Sequence, residues 1–527
     1  MFWADKVADE IAARFKDASS DDPIVIRDEK TASGRVHVGS LRGVAIHGVV
    51  ADVLTARGVP NVYKYEINEF DPMDSIPAYV DESAYQEHFG KPLHTIPSPE
   101  GGGSFANLYG NEFKEVILQA GFTPEFYSGY ELYTSGAMND VIRTALERAD
   151  DIRRIYREVS GSRKQEGWLP ISVVCEECGK VLTTVASDFD GKTVAYTCVA
   201  IPGPAGAVGC GHEGRVSPFD GNAKFPWKVD WAAKWKALGV KVEGAGKDHS
   251  TKGGARDVAN HISLEVFEYE PPYDIPYEFF LVGGKKMSSS KGLGSSAADV
   301  SLMVPTHIFR LVLLGTRPMR AINLDPDGDT IPTWFDWYDK IAEKYWDRSG
   351  DDDARLFELV HGGNAPEKLY LARFSSVAFL VQMEYASLEE EIAKIKGEML
   401  TEAEREDLAE RARYARQWLG QYAPEKYRFE LQMHAVPAGA EALTSQQKEG
   451  LRKVLEYVES NQQLDGQKVH TALHEMRKEM GVDAKEFFSA LYIVTLGKDS
   501  GPKAGWFLSV LDRDFLVRRL KEVTEQA

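Results

Sequence analysis

Between residues 24 and 67 the chain passes through a short apolar run, a glycine-containing turn, an apolar helical period and a second strand-like run. This order constrains the fold more than any other feature. Ile24-Val25-Ile26 is β-branched throughout, as a strand buried on both faces requires. Thr31-Ala32-Ser33-Gly34 reads as a turn. Leu41, Val44, Ala45, Gly48, Val49 and Val53 then recur at helical spacing. Val62-Tyr63-Lys64-Tyr65-Glu66-Ile67 reads as the returning strand. Strand, helix and parallel strand form the repeating unit of a doubly wound α/β sheet. Strand patterning returns at Val240-Lys241-Val242 and at Tyr277–Val282.

At 527 residues the chain exceeds what one hydrophobic core serves, so several domains are expected. Residues 166–225 differ in character, being rich in Gly and Cys, and read as an insertion into the sheet. Beyond about residue 335 the pattern is helical to the end. N-terminal capping boxes are legible at Ser387…Glu390, Thr401…Glu404, Thr444…Gln447 and, in a looser Asp form, Asp483…Glu486. Leu451, Val454, Leu455 and Val458 form the apolar stripe of a helix bundle.

The formal net charge is −19, which argues against a globally basic nucleic-acid-binding surface. Local patches remain: Arg153, Arg154, Arg157, Arg163 and Lys164 in one run, and Lys224, Lys228, Lys234 and Lys236 in another. Either is a candidate RNA contact or a solvated helix face. No apolar run reaches the length of a bilayer span and no basic-then-apolar leader opens the chain, so a cytoplasmic protein is expected.

All four cysteines, Cys175, Cys178, Cys198 and Cys210, fall in the insertion. Cys-x2-Cys is zinc-knuckle spacing, and the other two thiols can complete a tetrahedral set; the plain alternative is four free buried cysteines. Four thiolates make a closed, structural zinc site. His212 is an alternative fourth ligand.

Two distant segments carry chemistry. In the first, Thr31 to Ser40 (TASGRVHVGS), a turn after a strand enters a helix N-terminus, where free backbone N–H groups favour an anion. His37 supplies a further donor. An ordinary turn with a surface histidine would look the same. The second is Gly284-Lys285-Lys286-Met287-Ser288-Ser289-Ser290-Lys291-Gly292. Its lysines suit the charge that develops on a triphosphate as pyrophosphate leaves, and its serines add donors. The plain alternative is a flexible basic linker.

Together these segments resemble the HIGH and KMSKS signatures of class I aminoacyl-tRNA synthetases. The wider pattern is similar to the class I, archaeal-type lysyl-tRNA synthetases over nearly the whole chain. The similar stretches include the cysteine insertion, Phe225–Trp231, Gly246-Lys247-Asp248-His249, Tyr277-Glu278-Phe279 and Ser500–Gly505. The resemblance implies a Rossmann-type doubly wound parallel sheet interrupted by a zinc-binding insertion and followed by an all-α region. It divides the chain into 1–165 and 226–283 as halves of the catalytic domain, 166–225 as the insertion, 284–350 as the KMSKS loop and stem-contact region, and 351–527 as the anticodon-binding region. It implies ATP-dependent attachment of L-lysine to tRNA(Lys) through lysyl-adenylate, with Mg²⁺ and a structural Zn²⁺, by a monomer without membrane association. By family position, His37, Lys286 and Lys291 are catalytic, and Ser33, Gly34, Gly39, Ser40, Met287, Ser288 and Ser289 join them around ATP. Thr31, Trp227, Asp248, His249, Tyr277 and Glu278 surround lysine, with Asp248, Asp230 and Glu278 as candidate partners of its ε-ammonium. The chain departs from the family at Ala32, where proline is common, at Glu29, where glycine is common, and at Ser40, which ends the HIGH motif in place of His or Asn. Rival readings are another amino acid such as glutamate or arginine, a tRNA-binding regulator that has lost charging, and a cofactor-making nucleotidyltransferase.

Overall fold

The computed structural model describes residues 1–201, 207–286, 296–326, 328–383 and 386–525, without the side chains of Lys285 and Lys286. Two compact units result: residues 1–324 with 341–365, and residues 325–340 with 366–527.

The first unit is built on a parallel sheet with strand order β3 (Glu125–Ser128), β2 (Asn61–Asn68), β1 (Ile24–Thr31), β9 (Val240–Val242). β1 pairs with β2 in continuous register from Ile24↔Asn61 to Thr31↔Asn68 and with β9 on its other edge. A strand flanked on both sides must be apolar where helices cover it, and Ile24 and Ile26 are wholly buried. The helix Leu41–Ala56 packs on this sheet. The stretch Val38–Ala56 is apolar enough, at mean hydropathy 1.3, to pass for a membrane span, but 78% of it is buried. A helix apolar all round belongs inside a core. Its glycines serve close approach: a Cβ on Gly43 would lie 2.7 Å from Asp28 Oδ2, and one on Gly48 2.6 Å from Phe122 Cδ1.

The Tyr277–Val282 expectation is met only in part. The strand is β10, Phe280–Val282, in a smaller sheet with β11 (Lys285–Lys286, antiparallel) and β12 (Ile322–Leu324, parallel). Tyr277 makes a single bridge with Gly246: its N–H donates to Ala245 O, and its carbonyl accepts from Lys247 N–H.

The cysteine segment leaves and rejoins the sheet unit through a two-stranded clasp of β4 (Ser172–Val173) against β8 (Ala223–Lys224). Between them lies an antiparallel sheet of β5 (Thr184–Phe189), β6 (Val194–Cys198) and β7 (Glu213–Val216). Cys175 and Cys198 share a core with helices on either side of the insertion.

The second unit is helical. Its core joins the helices Ser445–Ser460, Gly466–Met480, Ala484–Leu496, Ala504–Val510 and Arg513–Thr524. Complete capping boxes form at Thr401/Glu404 and Thr444/Gln447, whereas Ser387 and Asp483 cap one N–H each. Residues 341–365 group with the first unit, so the helix Thr330–Trp346 contributes to both.

Candidate active site

At the carboxyl ends of β1 and β2 lies a cavity of about 990 Å³. In an open parallel sheet this is where ligands bind. Thr31, Ser33 and His37 enter it from the turn after β1, and Trp227 and His249 from the segments flanking β9. The cavity therefore unites these five residues with Asp230, a candidate ammonium partner from the sequence. Asp248, Tyr277 and Glu278 are not among its lining residues. Glu278 instead receives Lys247 Nζ at 2.7 Å. Met287, Ser288, Ser289 and Lys291 lie outside the described residues, and Lys286 is described only as backbone of β11.

The turn is shaped for close backbone approach. Gly34 has φ +146°, and a Cβ there would lie 2.6 Å from Tyr79 Oη. That hydroxyl accepts the Arg35 N–H at 2.5 Å. At Gly39 a Cβ would meet His37 Nδ1 at 2.8 Å, so a side chain there would displace the His37 ring. A short 3₁₀ turn, Val38–Ser40, then leads into the helix, with Ser40 at its N-cap position.

The helix Trp227–Leu238 presents two faces. Trp227, Trp231 and Trp235 recur every fourth residue and make one stripe. Trp227 is 47% exposed, stacks on Trp231 at 6.1 Å, and meets the His249 ring edge-on at 5.6 Å. Trp231 and Trp235 donate their indole N–H groups to Glu243 at 2.9 and 2.6 Å. The adjacent row carries Asp230 and Lys234, paired at 2.8 Å.

Behind the cavity runs a buried ionic network that sequence reasoning missed. Arg27, in mid-β1 and fully buried, meets Glu66 at 2.5 Å, Glu243 at 2.7 Å and Glu29. Lys234 reaches Glu66 at 2.5 Å and lies 3.8 Å from Glu29. Lys224 bridges Asp230 at 2.9 Å and Asp71 at 2.8 Å. Asp71 also accepts from Thr31 Oγ1 at 2.6 Å and Asn68 Nδ2 at 3.2 Å. Burial alone would raise the Asp230 carboxyl, but Lys224 and Lys234 hold it far below its ordinary range. Glu66 is likewise lowered against burial by Lys234 and Arg27. For Glu29 burial wins over Arg27 and Lys234, and its carboxyl is pushed up to about 7. Lys224 and Lys234 are thus interior cations and cannot form the RNA-contacting patch considered above. Lys228 and Lys236 lie over the rings of Trp227 and Tyr269, at 5.9 and 5.7 Å. In the other patch, Arg154 pairs with Glu265 at 2.8 Å and with Glu158 at 3.2 Å, and Lys164 lies over Tyr156 at 4.8 Å. Two signals for the network were present. Arg27 is a charge inside an apolar strand, and Asn68–Asp74 places acids just past the end of its neighbour.

The four cysteine sulfurs lie within 4.8 Å of one another. Cys175 and Cys210 are 3.6 Å apart, and Cys178 and Cys198 3.7 Å. Four thiolates at zinc's ordinary bond length of about 2.3 Å would be separated by roughly 3.8 Å, so the set fits a tetrahedral ion. Thr183 Oγ1 (3.2 Å) and the Cys210 N–H (3.4 Å) reach the Cys198 sulfur, the outer contacts that orient a metal ligand. His212 is outside this group of ligands.

The helical unit has an aromatic cavity of about 590 Å³, lined by Trp418, Tyr427, Phe429 and Trp506 with Lys426 and Lys503.

Residues 1–363 match the family model described as tRNA synthetases class I (K), and residues 382–524 match that of an anticodon binding domain. The lysine–tRNA ligase of Methanosarcina barkeri (strain Fusaro) is 31% identical over 548 residues, spanning 99% of this chain and 98% of that one. That of Thermoplasma volcanium is 30% identical over 525 residues, spanning 99% of each. Among solved structures, a glutamate tRNA ligase from Elizabethkingia meningosepticum aligns over 95% of this chain and 99% of its own, with TM-score 0.44 and 12% identity.

Proposed function

Because the chain belongs to the class I tRNA synthetase family, matched through its lysine-type model over residues 1–363, we propose that it attaches L-lysine to tRNA(Lys) through a lysyl-adenylate. Relatives named as lysine–tRNA ligases align over nearly its whole length. The observation that carries the choice of amino acid is the charge of the cavity. Among the described residues, Glu29, Asp71, Asp74 and Asp230 border it against Lys30 and Lys224, with the Trp227 face at its edge. Excess carboxylate beside an aromatic face suits a cation.

In this reading ATP lies along the turn Ser33–Ser40, its phosphates toward the backbone N–H groups at the helix start and toward His37. Mg²⁺ accompanies the triphosphate. The lysine carboxylate attacks the α-phosphorus, and the bond to pyrophosphate breaks. Lys286 and Lys291 stabilise the charge gathering on the leaving group. Thr31, with its hydroxyl directed to Asp71, orients the α-amine. The reaction needs positioning and charge stabilisation and no side-chain nucleophile. A ribose hydroxyl at the tRNA 3′ end then attacks the adenylate carbonyl and expels AMP.

Cys175, Cys178, Cys198 and Cys210 hold a structural Zn²⁺, which crosslinks the insertion. The helical unit takes the anticodon, for which the Trp418–Trp506 cavity offers aromatic faces to unstacked bases and lysines to phosphate. We read the protein as a cytoplasmic monomer.

The test is ATP-dependent charging of total tRNA with labelled lysine, run beside glutamate and arginine. Lysine charging that is lost in Lys286→Ala supports the reading. Charging of another amino acid refutes the specificity. Binding of ATP and tRNA without any charging points to the regulatory alternative.

A further inference from the structure

Of the four carboxylates bordering the cavity, two are fully engaged. Asp230 is held by Lys224, Lys234 and the Tyr133 hydroxyl at 2.9, 2.8 and 2.5 Å. Asp71 takes Thr31, Asn68 and Lys224. Asp74 is exposed and accepts from Ser75. Glu29 differs. A third of its side chain is exposed to the cavity, and both its cation contacts are made through Oε2. Among the described residues, Oε1 accepts no hydrogen bond.

Position adds to this. Arg27, Glu29 and Thr31 alternate along β1 and so share one face of the sheet. Glu29 stands between the buried Arg27 and Thr31. Two strand residues span roughly 6.6 Å, comparable with the reach of a butylammonium chain. An amino acid whose α-amine rests at Thr31 and Asp71 thus carries a side-chain ammonium back to Glu29. The guanidinium beyond is already divided among Glu29, Glu66, Glu243 and the Tyr127 hydroxyl.

We propose that the Glu29 carboxylate binds the side-chain ammonium of the substrate and sets the choice of amino acid, with Arg27 as its positioning group. The proposal rests on the lysine reading above. Glu29 also screens Arg27, which would otherwise offer a cation to an acidic side chain. An entering ammonium offsets the burial that raises this carboxyl.

The experiment uses the full-length chain with its metal. Lysine charging by the wild type is measured first, and its failure overturns the functional reading and this inference together. With wild-type charging in hand, Glu29→Gln tests the inference alone. The expected result is a lysine KM raised roughly 10- to 100-fold, the cost of a charge-assisted hydrogen bond, with the ATP KM within about twofold of wild type. Norleucine has lysine's shape with a methyl in place of the ammonium, so preference for lysine over norleucine should fall by the same factor. An unchanged lysine KM and unchanged preference overturn the proposal. If the variant does not fold, the wild-type pH profile decides. The groups around Glu29 are Arg27, Asp28 and Lys30 on β1, Tyr65 and Glu66 on β2, Lys234 on the helix, and Glu243 beyond β9. Lysine KM should rise as pH falls from about 8 to about 6 while ATP KM does not, and parallel profiles overturn the assignment.

Discussion

Replacing Lys234 by Met removes one of three interior cations, Arg27, Lys224 and Lys234, that face five carboxylates, Glu29, Glu66, Asp71, Asp230 and Glu243. Lys234 is fully buried, so no water replaces its ammonium. Glu66 keeps Arg27 at 2.5 Å and Asp230 keeps Lys224 at 2.9 Å, but each loses its closest or equal-closest cation. Breaking a buried pair from one side costs about 3–5 kcal/mol. That is a large share of the roughly 5–15 kcal/mol that stabilises a domain. Urea unfolding followed by tryptophan fluorescence reports it, because Trp231 and Trp235 lie on the same helix. The double change Lys234→Met with Glu66→Gln should cost less than the two singles summed, with a coupling of about 1–3 kcal/mol. A loss below about 1 kcal/mol for Lys234→Met would place the pair in the range of exposed ion pairs and refute the argument.

Other outcomes follow from the same geometry. Cys175→Ser or Cys198→Ser should lower bound zinc below one ion per chain by elemental analysis and expose the insertion to protease. Lys291→Ala should reduce the charging kcat on the order of 10²- to 10³-fold, with tRNA affinity little changed in a filter-binding assay. Glu29 carries a stability consequence of opposite sign to its function. Its folded value of about 7 lies above the ordinary carboxylate value, so the folded state holds the proton more tightly and stability falls as pH rises toward 7. Glu29→Gln should therefore melt higher than wild type at about pH 8, with the gap closing near pH 5, as calorimetry can check.

The sequence was most informative where the determinants are local. β1, the turn and the helix Leu41–Ala56 follow from β-branching, glycine placement and a helical period. Two capping boxes follow from residues three apart, and the four thiols converge from within one short segment. The ionic network left only two hints, Arg27 inside an apolar strand and the acids after β2, and neither names a partner. Lys234 meets Glu66 across 168 positions and Arg27 meets Glu243 across 216. Spacing along the chain cannot pair groups so distant, and a lysine in a lysine-containing run looks solvated. Tyr277 misled differently. Its aromatic, β-prone side chain continues the strand pattern, yet its backbone hydrogen bonds are taken by Ala245 and Lys247.

The β4–β8 clasp closes the cysteine insertion with Lys224, the same residue that holds Asp71 and Asp230 at the cavity wall. The insertion thereby shares Lys224 with the cavity wall, which it also lines through Ser172, Val181 and Leu182. Whatever loosens the sulfur cluster would also slacken the grip on Asp71, and with it the seat of Thr31. If the thiols hold the proposed zinc, loss of the metal would then be read at Thr31 as a weaker hold on the amino acid.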